Sequence, residues 1–202
     1  MVRRMKIPEF YKQTTPYTCG AASLLMVLNN LNENIKLTRE NEITIWKDAT
    51  FRVIECTSNI GLAYAALKRG FKAKVLQEYH LPKVFSRQHD LYVNNEMKKI
   101  YLEQLKNAKK LGLEIEYGDF DLDRMLEFTK KSIYPIVLIS SGTILHFVIL
   151  CGYEHKPAYN LTPEINEVIL LDPTVGLRRS DKDWFAEDFD IYEGKTCICV
   201  QK

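Results

Sequence analysis

Cys19 stands directly ahead of a long apolar run, Ala21 to Leu28, and directly behind the polar, non-helical lead Gln13-Thr14-Thr15-Pro16-Tyr17. A thiol becomes a strong nucleophile as the thiolate, a form favoured by a helix N-terminus and a neighbouring imidazolium. The apolar run is hydrophobic nearly all round, the mark of a buried helix, so Cys19 falls at that helix's positive end. Gly20, with no side chain, is expected to leave room for a substrate to approach the sulfur. Free cysteine is also among the most buried residue types, so Cys19 alone decides nothing.

The weight comes from two residues far along the chain. His146 opens one Val/Ile/Leu-rich stretch and Asp172 closes another, with a linker from about Glu154 to Glu167 between them. If these stretches pair as an antiparallel hairpin, His146 and Asp172 lie nearly opposite, with β-carbons about 4.5–5.5 Å apart in direct register. Period-two alternation places His146, Val148 and Leu150 on one face, and Val168, Leu170 and Asp172 on one face of the partner. Pro173 cannot donate to the ladder and ends the second strand. An Asp so placed accepts a ring proton of His146, fixes its tautomer and stabilises the imidazolium. Gln13 adds a side-chain amide ahead of the thiol. Beside the Cys19 backbone N–H, such a donor stabilises an acyl-transfer oxyanion by about 2.7–4 kcal/mol.

The remaining cysteines offer less. Cys197 and Cys199 share a face of the last strand but have no Cys-x-x-Cys or His pair for a metal, and they read as core. Cys151 alternates away from His146 and also reads as core. Cys56, beside a helix cap, has no assigned role. His155, in the hairpin linker, is the weakest competitor for the base.

Positioning these groups requires helices in front and strands behind. Thr38 caps a helix running to about Lys47. Thr57 and Ser58 cap another, with Leu62, Ala65, Ala66 and Leu67 as its apolar stripe and Gly70 as its stop. Residues 94 to 111 form a charged amphipathic helix, and Leu122 to Lys131 another, entered through Asp121. From about residue 133 the texture changes to short strands: Ile136 to Ser140, His146 to Tyr153, Val168 to Asp172 and Thr196 to Val200. Such segregation is α+β: a mainly helical lobe over residues 1–132 packs on an antiparallel β lobe over 133–202, in a single domain of 1–202. A cleft between the two lobes is the expected place for a site.

The 202 residues are 46% hydrophobic and 27% charged, the balance of a globular protein with a full core. A net charge of +2 is too mild for a nucleic-acid binder. No segment approaches the roughly 20 apolar residues that cross a bilayer, and Arg3 and Arg4 are followed by no apolar run of a secretory signal. Five irregularly placed cysteines argue against a disulfide framework and for a reducing cytoplasm.

Gln13-Thr-Thr-Pro-Tyr-Thr-Cys19-Gly20-Ala21-Ala22-Ser23 resembles the nucleophile motif of the peptidase C39-like family, on the papain-like cysteine protease superfold. His146-Phe-Val-Ile-Leu-Cys-Gly152-Tyr153 resembles that family's histidine strand, and Leu171-Asp172-Pro173 its aspartate strand. Gly61 to Phe71 and Ser132 to Ser141 also resemble segments of these proteins, so the likeness spans most of the chain in order. It implies Cys19 as nucleophile, His146 as base and acid, Asp172 as its orienter and Gln13 in the oxyanion hole. The implied reaction is hydrolysis of a peptide or amide bond through a thioester, by a cysteine (thiol) protease that needs no cofactor or metal. The family's best-known members are leader-cleaving domains of membrane transporters. This chain has neither a transmembrane region nor a Gly-Lys-Ser/Thr phosphate loop, and it more closely resembles the free-standing members. The stretch from about His80 to Asp119, with Tyr79, His80, His89 and Tyr92, looks like an insertion over the minimal domain, either a solvated hairpin or a cover for the cleft.

The expected partner is a peptide or protein substrate, with no nucleic acid and no membrane; the oligomeric state is left open. Two other readings stand beside the hydrolase. An acyl or peptidyl transferase would use the same residues with an amine as acceptor, and a non-catalytic module would bind a peptide without cutting it.

Overall fold

The structure is a computed structural model that describes residues 7–81, 91–141, 144–155, 165–190 and 194–202. Helix α1 (Cys19–Leu31) is buried at every position from Gly20 to Leu28, because helices cover one of its sides and a sheet the other. Helix α2 (Arg39–Ala49) starts at Thr38, whose side chain accepts from the Asn41 N–H. Helix α3 (Asn59–Lys68) starts at Ser58, which accepts from the Gly61 N–H at 2.7 Å. It stops at Gly70, whose φ of +81° is the left-handed turn that glycine adopts without strain. Helices α4 (Leu91–Lys110), α5 (Leu122–Lys130) and α6 (Lys182–Phe189) follow along the chain, the last two capped by Asp121 and Asp181.

Strands β1 (Lys72–Gln77), β2 (Glu114–Tyr117), β3 (Ile136–Ser141), β4 (Ile144–His155), β5 (Ile165–Asp172), β6 (Gly176–Asp181) and β7 (Thr196–Gln201) form one sheet in the order β2-β1-β7-β3-β4-β5-β6. The architecture is α+β, and the sheet is mixed: β1 and β2 run parallel while the other neighbours are antiparallel.

Alternation divides the core into two layers. Phe147, Ile149, Cys151, Ile198 and Val200 face the layer that contains α1, α3 and α4. Val148, Leu150, Val168, Leu170, Cys197 and Cys199 face the layer of α5 and α6. Cys151, Cys197 and Cys199 are thus buried thiols of the core, and the five cysteines are all free.

The front half therefore supplies strands as well as helices. Of the stretch from about His80 to Asp119, residues 82–90, His89 among them, lie outside the described residues. The described part contributes β2 and α4, whose Met97 and Tyr101 are wholly buried in the first core layer. Most of the hairpin linker, residues 156–164, also lies outside the described residues. His155 falls at the end of β4, paired with Ile165.

Candidate active site

Cys19 is the first residue of α1 and is partly exposed. Thr18 in front of it gives the helix no side-chain cap. Its hydroxyl is turned instead to Thr15, whose carbonyl it meets at 3.2 Å. The first turn also carries no acidic residue, so the amide groups at this helix end keep their positive potential beside the sulfur. Deeper in the helix, the Ser23 hydroxyl donates to the Phe147 carbonyl at 3.2 Å, fastening α1 to β4 one residue past His146.

Gly20 has a different role from the one its sequence context suggested. A Cβ there would stand 2.5 Å from Thr57 Oγ1, 2.9 Å from Leu62 and 3.0 Å from Phe147. The missing side chain lets α1 pack against α3 and β4; it does not open space for a substrate.

His146 Nε2 lies 2.9 Å from Asp172 Oδ1. The pairing differs from direct register. Ile149 faces Leu171 in the ladder, so Val148 faces Asp172 and His146 is its diagonal neighbour, two residues along. Diagonal neighbours are within reach of a long side chain, and imidazole spans the gap. With Nε2 engaged by Asp172, Nδ1 is the ring nitrogen left to serve Cys19, whose thiol is close enough to influence the ring. Burial works to lower the His146 pKa, but the bonds to Asp172 and Cys19 and their negative charge outweigh it, pushing it up to about 9.

Asp172 is 7% exposed. Burial opposes its charge, yet the His146 bond and the Thr174 N–H, which donates to Oδ1 at 2.8 Å, hold its carboxyl below the ordinary range. Arg178, which sequence reasoning missed, contributes as well, with Nε 3.5 Å from Oδ2. Gly176 faces Asp172 and Arg178 faces Leu170 in the β5–β6 ladder, so Arg178 is a second diagonal neighbour, from the strand opposite to β4. The tight Asp-Pro-Thr-Val-Gly turn was the signal that could have found it.

Gln13 is tied to the end of β5. Its N–H donates to the Pro173 carbonyl at 2.8 Å, and its Oε1 accepts from the Thr174 hydroxyl at 3.3 Å. One amide N–H is donated to the Thr15 carbonyl at 2.8 Å, and the group has a second to give. The loop that carries Gln13 is held by another residue missed in sequence, the buried Glu42 of α2. Its carboxylate accepts from Tyr11 Oη at 3.0 Å, the Thr14 N–H at 2.9 Å and Thr14 Oγ1 at 2.6 Å. Burial, with this bond, pushes the Tyr11 phenol up to about 12.

Among the described residues, no three or more His, Cys, Asp or Glu side chains are grouped to hold a metal ion, and no helix is long and apolar enough to cross a membrane. Tyr79 lines a cavity that opens beside Cys19, while His80 packs on Tyr117 with ring centroids 4.0 Å apart.

A helix that begins at Cys19, packed against a sheet that carries His146 and Asp172, is a papain-like fold, and a solved structure agrees. That structure is a double glycine motif protease from an AMS/PCAT transporter in complex with the leader peptide. It is 18% identical, covers 99% of this chain and 95% of its own, and has a TM-score of 0.50. The peptidase domain of Streptococcus mutans ComA is 15% identical, covering 96% of this chain and 98% of its own, with a TM-score of 0.41. The chain belongs to the Peptidase C39-like family, whose model matches residues 8–169. Comparison with curated protein sequences finds no significant match.

Proposed function

We propose that this protein is a cysteine hydrolase that cleaves a peptide or amide bond through Cys19, His146, Asp172 and Gln13. The observation that carries the reading is the 2.9 Å bond from His146 Nε2 to Asp172 Oδ1, with the thiol of Cys19 standing at an uncapped helix end. Family membership and a structural neighbour that holds a leader peptide support a peptide or protein as substrate.

The Cys19 thiolate attacks the carbonyl carbon, and the C=O electron pair moves onto oxygen. That oxyanion is held by the Cys19 N–H and the second N–H of Gln13. Collapse expels the amine, which takes its proton from the His146 imidazolium. Neutral His146 then draws a proton from water, hydroxide adds to the thioester, and the carboxylic acid leaves as Cys19 and His146 regain their starting forms. A His146 pKa of about 9 suits the first half of the cycle, because the proton for the leaving amine is already in place at neutral pH.

The test is competition among the thiols. Burial pushes up the thiols of Cys151 and Cys197, that of Cys151 to about 12. Iodoacetamide at mildly acidic pH should label Cys19 far ahead of the others, read by peptide mass mapping. A peptide-library digest should lose all cleavage in Cys19→Ala. Equal labelling of all five thiols, or turnover by Cys19→Ala, would defeat the reading.

A further inference from the structure

The cavity beside Cys19 has a volume of about 390 Å³, more than twice the roughly 150 Å³ hole that accepts a benzene molecule in a protein core. Its walls include Tyr17, Phe51, Ile54, Met97, Leu138 and Phe147. Polar side chains of the lining, Asn59, Gln77 and Thr196, are already bonded to one another. Asn59 Nδ2 donates to Gln77 Oε1 at 2.9 Å and to Thr196 Oγ1 at 2.8 Å, and Gln77 Nε2 donates to the Tyr79 carbonyl at 2.7 Å. Lys195, also in the lining, is paired with Asp119 at 2.8 Å. Thr57 Oγ1, which has no partner among the described residues, lies against Gly20. The lining therefore offers no free charge to an ionic ligand, and its interior is matched to an apolar one.

The position of the cavity relative to the reacting groups says which part of a substrate it meets. Cys19 lines it, whereas His146, Asp172 and Gln13 do not. The leaving amine must stand at His146 to receive its proton, so the acyl half of the substrate lies on the cavity side of the sulfur. We infer that this chamber is the pocket for the acyl-side residue at the scissile bond, and that it selects a large apolar side chain, aromatic or long aliphatic. This rests on the reading of Cys19 as nucleophile. A glycine or alanine there would leave the space unfilled and its apolar wall in contact with water. Each methylene gained or lost in such a pocket changes kcat/KM by roughly 10–200-fold.

The experiment uses the full chain and three electrophiles: iodoacetamide, and two peptidyl chloromethyl ketones that differ only in carrying Phe or Gly next to the warhead. The Phe reagent should alkylate Cys19 at least about 10-fold faster than the Gly reagent. Cys56→Phe and Ile54→Trp, each placing a ring in the chamber from its lining, should bring that ratio towards one. Because the readout is a ratio, a general loss of reactivity does not imitate the effect. Equal rates for Phe and Gly, with Cys19 still the thiol that iodoacetamide takes first, overturn the pocket and leave the nucleophile standing. If iodoacetamide shows no preference for Cys19, both fall together.

Discussion

Arg178 approaches Asp172 from β6, on the side opposite to His146, with its Nε 3.5 Å from Oδ2. The guanidinium favours the ionised carboxylate that the imidazolium needs. Arg178→Gln should let the Asp172 carboxyl rise, moving the acidic limb of the pH–activity profile to higher pH. Because the side chain is partly exposed, the loss at neutral pH should stay below about 10-fold. Arg178→Lys should restore much of the profile; an acidic limb that does not move at all would remove Arg178 from the site.

Asp172→Ala deprives the ring of its strongest favourable partner. Turnover should fall by about 10²-fold or more, within the range for general acid–base groups. NMR titration should show the His146 midpoint moving down from about 9. An unchanged midpoint would mean that the 2.9 Å bond does not govern the ring.

Under the proposed mechanism, activity should decline as pH rises through about 9, where His146 loses the proton assigned to the leaving amine. Stability follows the same group. The folded chain holds this proton more tightly than the unfolded chain, so the contribution is complete below about 6.5 and is lost as pH climbs through about 9. Asp172 acts in the opposite sense: its contribution is complete above the ordinary carboxylate range and is lost as pH falls below it through the lowered folded-state value. Melting curves between pH 6 and 10 should show a larger alkaline loss for the wild type than for His146→Gln.

Glu42 is wholly buried and accepts three hydrogen bonds from Tyr11 and Thr14. Glu42→Ala leaves those donors without an acceptor and should cost about 1–3 kcal/mol by denaturant titration. Since Gln13 lies between the two anchored residues, turnover should fall while the affinity of Cys19 for small alkylating agents is spared.

Gly20→Ala places a methyl group where Thr57, Leu62 and Phe147 already stand. Overpacking of this kind costs about 1–3 kcal/mol. Thermal melting should reveal it, and pairing with Thr57→Ser should not relieve it, because the hydroxyl stays and Leu62 and Phe147 still press on the site.

Much of this arrangement could be read from residue order because its signals are local. The caps at Thr38, Ser58 and Asp121 each accept the N–H expected of them. The apolar run after Cys19 is a buried helix, and β3, β4, β5 and β7 lie where Val, Ile and Leu cluster. What stayed hidden has physical reasons. Strand β6 is Gly-Leu-Arg-Arg-Ser-Asp, an edge strand whose charged residues mask its pairing. Strands β1 and β2 are short, interleaved with Lys and Glu, and joined across α4, so their parallel pairing has no turn to announce it. The offset between His146 and Asp172 depends on the ladder's register, which spacing alone does not specify. Glu42 and Arg178 became visible only when distant segments met.

His146 and Asp172 ride on adjacent strands of one ladder, whereas Cys19 arrives on a separate helix, fastened to that ladder through Ser23. The two halves of the site can therefore fail one at a time. A lesion that loosens the helix should produce a protein that is silent in the proposed reaction yet still carries a correctly titrating imidazole. A lesion in the ladder should leave a thiol in place with no proton relay behind it.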